Sequence, residues 1–184
     1  KYFLSKVEKE FSTSIKGWKL GLTSSKLQEK FNFNSPCYGR ICNNFIYYSP
    51  IKLNLSGMTR IVVENEVAIT LQDDIPFEDI IFTPETILKY IKSFHSAIEI
   101  VDDKGAKPDQ IDIGILISMN VFNRYIILGK PIFTNELSDL KNLKTNLIFN
   151  GKIIAEGNTN NVMGNPINSL VWLANNVSLT GNLL

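Results

Sequence analysis

The chain has 184 residues, with 19 Lys and Arg against 18 Asp and Glu, and its formal net charge is +1. A chain of this length corresponds to one domain, which buries enough surface to fold without disulfides or a structural metal. The near-neutral charge argues against the basic surface that binds nucleic acid, so we expect no nucleic-acid partner. Cys37 and Cys42 are too few for a disulfide scaffold, and no Cys/His cluster has the spacing of a zinc site.

The sequence gives no sign of a membrane segment. The longest apolar runs, such as Ile113–Ile117 and Tyr125–Leu128, are far shorter than the roughly 20 residues that a membrane-spanning helix needs. The chain starts at Lys1 without a signal-peptide pattern and without an initiator Met. We therefore expect a cytoplasmic protein with no membrane partner, in a chain trimmed at its start.

The first half of the chain is predicted to start with the end of a helix and to continue mainly as strands. Residues 1–12 have apolar side chains at helical spacing, at Phe3, Leu4, Val7 and Phe11. Lys16–Leu22 is predicted as a short strand, and residues 45–55 carry β-favouring side chains before Pro50 interrupts them. Ile61–Leu71 is rich in β-branched residues and is the clearest strand of the sequence.

The middle of the chain is predicted to contain one helix followed by two strands. Thr83-Pro84-Glu85-Thr86 has the N-cap hydroxyl and the early proline of a helix start. The following residues predict one apolar helix face, formed by Ile87, Leu88, Ile91 and Phe94. His95 is then expected at the end of this helix. Ala97–Val101 and Tyr125–Leu128 are predicted as strands.

The last elements are a hairpin and a helix. Leu147–Ala155 is interrupted by Asn150-Gly151, the strongest short signal of a β-hairpin. Asn165 is predicted to cap a final helix that runs to about Val177, with Pro166 in its first turn and Trp172 packed inward.

Strands outnumber helices and do not alternate regularly with them, which favours an α+β fold over a parallel doubly wound sheet. We divide the chain into residues 1–15, the end of an N-terminal helical segment, and residues 16–184, a β-rich domain of catalytic type.

Two glutamates lie on the clearest strand. Side chains alternate across a strand, so Glu64 and Glu66 share one face, roughly 7 Å apart. Two like charges this close repel each other unless a cation lies between them or one carboxylate is protonated. A solvated polar face is the ordinary alternative, but the apolar Val62 and Ala68 on the same face favour partial burial.

A third carboxylate, Glu99, lies within an otherwise apolar strand, where an unpaired charge is costly. Pairing with a lysine or a backbone amide would satisfy Glu99 on its own. Together with Glu64 and Glu66, it suits a hard divalent cation that prefers oxygen ligands, such as Mg²⁺ or Mn²⁺.

Lys19 lies between apolar residues on the first predicted strand. Such a lysine commonly extends its ammonium group to the surface. If Lys19 instead points into a site, it can hold an anionic substrate or transfer a proton.

Five segments follow one another in the order of a known family, namely Gly17-Trp18-Lys19-Leu20-Gly21-Leu22-Thr23-Ser24, Pro36-Cys37-Tyr38-Gly39, Glu64-Asn65-Glu66, Ala97-Ile98-Glu99-Ile100-Val101-Asp102 and Met163-Gly164-Asn165-Pro166-Ile167-Asn168-Ser169-Leu170-Val171-Trp172-Leu173-Ala174-Asn175. The Lys-x-Gly-Leu-Thr block and the closing block with Trp-Leu-Ala are the most specific. In these segments the chain resembles the 2-keto-4-pentenoate hydratase and 4-oxalocrotonate decarboxylase group of the fumarylacetoacetate hydrolase superfamily.

The resemblance implies a mixed β-roll core with a few peripheral helices, a Mg²⁺ or Mn²⁺ cofactor and a homo-oligomer. It implies a lyase that hydrates 2-hydroxypenta-2,4-dienoate, or another small 2-oxo acid, in the degradation of aromatic compounds. The implied site residues are the active-site lysine Lys19, the metal ligands Glu64, Glu66 and Glu99, and the substrate-binding residues Leu22, Thr23 and Asn120.

The chain departs from the family pattern at four places. One of them is Val62, where the family commonly has an Arg two residues before the first metal glutamate. Cys37 replaces an acidic residue that is a proposed proton carrier, and Ser118-Met119-Asn120-Val121 keeps the asparagine of its motif but not the acid. The resemblance also implies that the closing C-terminal strands of the family are missing after Leu184.

Three alternatives to the hydratase stay open. A 4-oxalocrotonate-type decarboxylase uses the same metal chemistry. A degenerate homologue, which serves as a binding or structural partner without catalysis, would explain the lost acids. A hydrolase that cleaves carbon–carbon bonds of acylpyruvates ranks third, because its relatives use an N-terminal His-Glu pair and no histidine precedes Glu64.

Overall fold

The computed structural model describes residues 9, 13–76, 80–134 and 139–178. Within these ranges the strands are β1 (Ile15–Gly21), β2 (Cys37–Cys42), β3 (Ile46–Tyr48), β4 (Ile61–Leu71), β5 (Ile91–Asp102), β6 (Asn123–Phe133), β7 (Lys144–Phe149) and β8 (Lys152–Asn158). The α-helices are α1 (Ser25–Lys30), α2 (Pro84–Ile87), α3 (Ile113–Ser118) and α4 (Pro166–Ser178). Short 3-10 turns at Asn43–Phe45, Leu88–Tyr90, Pro108–Gln110, Asn120–Phe122 and Thr159–Asn161 join several of them. This content confirms the predicted α+β class.

A four-stranded mixed sheet in the order β3-β6-β5-β4 forms the centre of the structure. β3 pairs with β6 in parallel, whereas β5 pairs with β6 and with β4 in antiparallel fashion. Two antiparallel two-stranded sheets accompany it, β1–β2 and β7–β8. β5 is a central strand and is buried along most of its length, while β4 forms one border of the sheet.

The prediction that the helix continues from Ile87 to Phe94 is wrong. Helix α2 has the predicted N-cap at Thr83 and Pro84 in its first turn, but it ends at Ile87, and β5 begins at Ile91. Because β5 is covered on both faces, its apolar residues do not alternate and so imitate helical spacing. His95 therefore lies within β5 and not at a helix end.

Several other boundaries differ from the prediction while the element type is right. β5 and β6 extend beyond the predicted Ala97–Val101 and Tyr125–Leu128, and the strand expected in residues 45–55 is limited to Ile46–Tyr48. The predicted helix over residues 1–12 falls outside the described residues, apart from Lys9.

The hairpin and the final helix are confirmed. Asn150 and Gly151 both have positive φ, as a two-residue hairpin turn requires. The side chain of Asn165 accepts a hydrogen bond from the Ile167 amide, so it caps α4. Trp172 of α4 is half-buried and lies edge-on against Tyr38, with ring centroids 6.1 Å apart.

Two apolar clusters support the sheet. The first joins β5 to α2 and α4 through Ile75, Phe82, Ile87, Ile91, Phe94, Ile167, Leu170 and Ala174. The second joins the β1–β2 ribbon to the end of β5 and to α3 through Leu22, Cys37, Val101, Leu116 and Phe122. The second cluster fixes the ribbon beside the β4–β5 pair. None of the described helices has the length and apolar character that crossing a bilayer requires.

Candidate metal centre

The antiparallel register of β4 and β5 brings the three predicted carboxylates together. Glu64 is paired directly with Glu99, and Glu66 with Ala97 two positions along. Each of the three glutamates offers a carboxylate oxygen, and these oxygens all lie within 4.8 Å of one another. The predicted convergence of Glu64, Glu66 and Glu99 is therefore confirmed as geometry.

Burial increases across this cluster from Glu64 to Glu99. Glu64 is exposed, Glu66 is half-buried, and Glu99 is only 3% exposed. The expectation of a partly buried face is correct for Glu66 and Ala68, but Val62 and Glu64, in the first part of β4, are exposed.

The surroundings of the cluster raise the pKa values of Glu64 and Glu66. Burial, together with the charges of Glu99 and Glu64, raises the pKa of Glu66 to about 7. Loss of hydration and the charge of Glu99 also raise the pKa of Glu64. The nearby Lys19 ammonium opposes both shifts without cancelling them. The cluster thus holds more negative charge than its surroundings neutralise, which is the electrostatic condition for binding a cation.

Lys19 points into the cluster and not to the surface. It is 7% exposed on β1, and its Nζ lies 2.5 Å from Oε1 of Glu99. Glu99 is expected from the sequence either to pair with a lysine or to join Glu64 and Glu66. The structure shows both contacts at once. Trp18 and Tyr38 lie in edge contact on the other face of the β1–β2 ribbon, so Trp172 packs on the face opposite Lys19.

Asn123, at the start of β6, is a site residue that the sequence did not reveal. Its Nδ2 donates a hydrogen bond of 2.9 Å to Oε1 of Glu99. Asn123 belongs to none of the motifs that carry the resemblance, and the contact depends on the pairing of β5 with β6. Only the three-dimensional structure could show it.

The three residues predicted to bind substrate occupy different surroundings. Leu22 is 4% exposed and its side chain lies in the second apolar cluster. Thr23 is half-buried, and its carbonyl accepts a hydrogen bond from the Met163 amide. Asn120 donates from Nδ2 to the carbonyl of Arg40. Their contact with a substrate stays a prediction.

Cys37 lies near Lys19 in the β1–β2 ribbon. It is buried, and its Sγ lies 3.1 Å from the position that a Cβ on Gly21 would occupy. Burial raises the pKa of the Cys37 thiol, although Lys19 counteracts part of the shift. At neutral pH the residue therefore offers a protonated thiol where the resemblance implies a carboxylate.

The donor set fits a hard divalent cation. Three convergent carboxylates offer only oxygen ligands, which Mg²⁺ and Mn²⁺ prefer over softer metals. The excess negative charge supplies the attraction, and the exposed Glu64 leaves one side of the cluster open to solvent.

Comparison with known proteins identifies the family. Residues 38–182 match the model of the fumarylacetoacetate (FAA) hydrolase C-terminal family. The chain belongs to the fumarylacetoacetate hydrolase family. This result confirms the superfamily inferred from the sequence motifs.

Two curated relatives of the chain are named as hydratases. The 2-keto-4-pentenoate hydratase of Paraburkholderia phymatum is 27% identical over 169 residues, which cover 91% of this chain and 63% of that protein. The 2-keto-4-pentenoate hydratase of Burkholderia vietnamiensis is 26% identical over 171 residues, which cover 92% of this chain and 64% of that protein. The chain thus spans a little under two thirds of the length of these relatives.

A solved structure has the same fold. The 4-oxalocrotonate decarboxylase from Pseudomonas putida G7, complexed with magnesium and adipate, superposes with a TM-score of 0.88 and 20% sequence identity. The superposition covers 100% of this chain and 68% of that protein. The expected fumarylacetoacetate-hydrolase-like fold is therefore confirmed.

Proposed function

We propose that the chain carries the metal centre of a lyase that hydrates a small 2-hydroxydienoate, such as 2-hydroxypenta-2,4-dienoate. In this proposal Glu64, Glu66 and Glu99 bind Mg²⁺ or Mn²⁺, and Lys19 is the catalytic lysine. The observation that carries it is the set of three carboxylates within 4.8 Å of one another beside the buried Lys19. The hydratase relatives support the reaction class.

Each residue of the centre has a chemical role in this proposal. When bound, the cation supplies Lewis acidity that favours the enolate form of a 2-oxo acid. The ammonium group of Lys19 neutralises Glu99 and can hold a proton at Nζ beside the site. Leu22, Thr23 and Asn120 are proposed to contact the substrate, Leu22 through its backbone because its side chain is in the core. A homo-oligomer stays a prediction.

Two alternatives are each supported by one observation. The fold shared with a decarboxylase that is complexed with magnesium supports a decarboxylation of a related 2-oxo acid. The protonated, buried thiol of Cys37 in place of an acid supports a homologue that has lost catalysis. A general acid or base typically contributes about 10²–10⁴-fold to a rate, so this loss predicts a slow enzyme at best.

The proposal is tested by following the ultraviolet absorbance of 2-hydroxypenta-2,4-dienoate with the purified chain, with and without EDTA. We expect slow loss of the dienoate that stops with EDTA or with Lys19→Ala, and a faster rate for Cys37→Asp. The exposed Lys16 provides the matched control, Lys16→Ala, whose rate stays unchanged. Mg²⁺ binding without turnover of any 2-oxo acid contradicts the enzyme and supports the non-catalytic homologue.

A further inference from the structure

Two hydrogen-bond donors meet on a single oxygen of Glu99. Nζ of Lys19 lies 2.5 Å from Oε1, and Nδ2 of Asn123 donates to the same atom at 2.9 Å. Lys19 comes from β1 and Asn123 from the start of β6, so the two donors reach the carboxylate from different elements. Two such donors restrict the rotation of a carboxyl group more than one flexible lysine side chain can.

The backbone before Asn123 is held in an uncommon conformation. Asn120, Val121 and Phe122 have φ of 51°, 53° and 58°, all in the left-handed region. This region is unfavourable for a β-branched or aromatic residue, and it persists only where the surrounding structure enforces it. Such residues are concentrated at functional sites.

This left-handed turn packs closely against two glycines of the β1–β2 ribbon. A Cβ on Gly39 would lie 1.6 Å from Oδ1 of Asn120, and a Cβ on Gly21 would lie 3.1 Å from a methyl group of Val121. Asn120 is also fixed to the ribbon by its hydrogen bond to the Arg40 carbonyl. The ribbon that carries Lys19 therefore also fixes the turn that leads into Asn123.

We propose that Asn123 is a positioning residue of the metal centre. It holds Oε1 of Glu99 and so fixes the orientation of the carboxylate that converges with those of Glu64 and Glu66. Lys19 supplies a charge to the same carboxylate, whereas the Asn123 amide supplies direction without adding charge. This inference rests on the proposed metal centre and extends it to a residue outside the family motifs.

A positioning role for Asn123 and a purely structural role predict different effects of its substitution. Asn123 is half-buried, so burial alone does not force its amide to find a protein partner. Hydrogen bonds to metal-binding side chains typically change metal affinity by about 10–100-fold when they are removed. A purely structural role would instead change the melting temperature and leave metal affinity unaltered.

The test measures Mg²⁺ affinity of the 184-residue chain by isothermal titration calorimetry, beside the melting temperature of each variant. Asn123→Ala removes the hydrogen-bond donor, and so does Asn123→Leu, whose side chain is similar in size to asparagine. Asn123→Ser keeps a donor on a shorter side chain. The control, Asn44→Ala, changes an exposed asparagine in a 3-10 turn. We expect Mg²⁺ binding to weaken at least tenfold in the first two, to recover partly in Asn123→Ser and to stay unchanged in Asn44→Ala.

The outcomes separate this inference from the proposal beneath it. Wild-type affinity in a folded Asn123→Ala or Asn123→Leu overturns the positioning role and leaves the metal centre intact. Weakening that follows a lowered melting temperature, without recovery in Asn123→Ser, also overturns it in favour of a structural role. A wild-type chain that binds no Mg²⁺ overturns the metal centre, and the positioning role with it.

Discussion

Glu64 and Glu99 are direct partners in the antiparallel pairing of β4 with β5, so two carboxylates oppose each other across adjacent strands. Directly opposed like charges destabilise a sheet, and Glu66 adds a third carboxylate to the same cluster. Lys19 offsets part of this charge from a different sheet. The sheet therefore carries an unfavourable arrangement that a bound divalent cation would make favourable.

The first prediction concerns the opposed pair. Glu64→Gln removes one repelling charge, so we expect the metal-free protein to gain on the order of 0.5 kcal/mol of stability. For a chain of this size that corresponds to an increase in melting temperature of about 1–2 °C. The same variant exchanges an anionic ligand for a neutral amide oxygen, so the stabilisation by Mg²⁺ should decrease. Thermal melts with Mg²⁺ and with EDTA measure both effects, and a variant that Mg²⁺ still stabilises as strongly as wild type contradicts the ligand role.

The second prediction concerns the buried ion pair. Lys19→Met keeps most of the side-chain volume but leaves the charge of Glu99 buried without its cation. Removing one partner of a buried pair typically costs about 3–5 kcal/mol, so we expect a loss of this order in the metal-free protein. Mg²⁺ should restore part of it by supplying positive charge to the cluster. Urea unfolding with and without Mg²⁺ measures the loss.

Lys16→Met is the matched control for the ion pair, because Lys16 is an exposed lysine of the same strand. It should unfold at nearly the same urea concentration as wild type. Equal stability of both lysine variants would show that the Lys19–Glu99 pair contributes nothing to the fold.

The third prediction is a pH dependence that arises from Glu66. Its pKa is raised to about 7 in the folded protein, against an ordinary value of 4.5 in the unfolded chain. The folded state therefore holds this proton more tightly, so the contribution of Glu66 to stability is fully present below about pH 4.5 and is lost as the pH rises through about 7. We expect the metal-free protein to lose stability between about pH 5 and pH 8 relative to Glu66→Gln.

Mg²⁺ competes with that proton, so it should raise the melting temperature more at about pH 8 than at about pH 6. Thermal melts at both pH values, in Mg²⁺ and in EDTA, provide the comparison. A Mg²⁺ effect that is the same at both pH values contradicts a titrating ligand at position 66.

The candidate site was more accessible from the sequence than parts of the fold. Alternation along a strand placed Glu64 and Glu66 on one face, and the apolar context of Glu99 indicated burial; both follow from local patterns. The apolar spacing at the start of β5 instead predicts a helix, because a strand that is buried on both faces loses its alternation. The contact between Asn123 and Glu99 joins residues 24 positions apart through sheet pairing, which no local pattern encodes.

The fourth prediction tests the left-handed turn. A Cβ on Gly39 would lie 1.6 Å from Oδ1 of Asn120, so Gly39→Ala must displace this side chain and the turn that follows it. We expect a loss of about 1–3 kcal/mol in urea unfolding, as for other overpacked sites. In the same ribbon, a Cβ on Gly17 would meet its nearest neighbour at 4.0 Å, so Gly17→Ala should unfold like wild type. Equal losses in both variants would contradict the close approach of Asn120 to Gly39.

The central claim is that Glu64, Glu66 and Glu99 hold one divalent cation. The most direct measurement is an anomalous difference map from crystals of the chain soaked in Mn²⁺. The account predicts a single strong peak within coordination distance of one oxygen from each glutamate, with Lys19 still paired with Glu99. A map without a peak among the three carboxylates, from crystals in which their side chains are ordered, would contradict the metal centre.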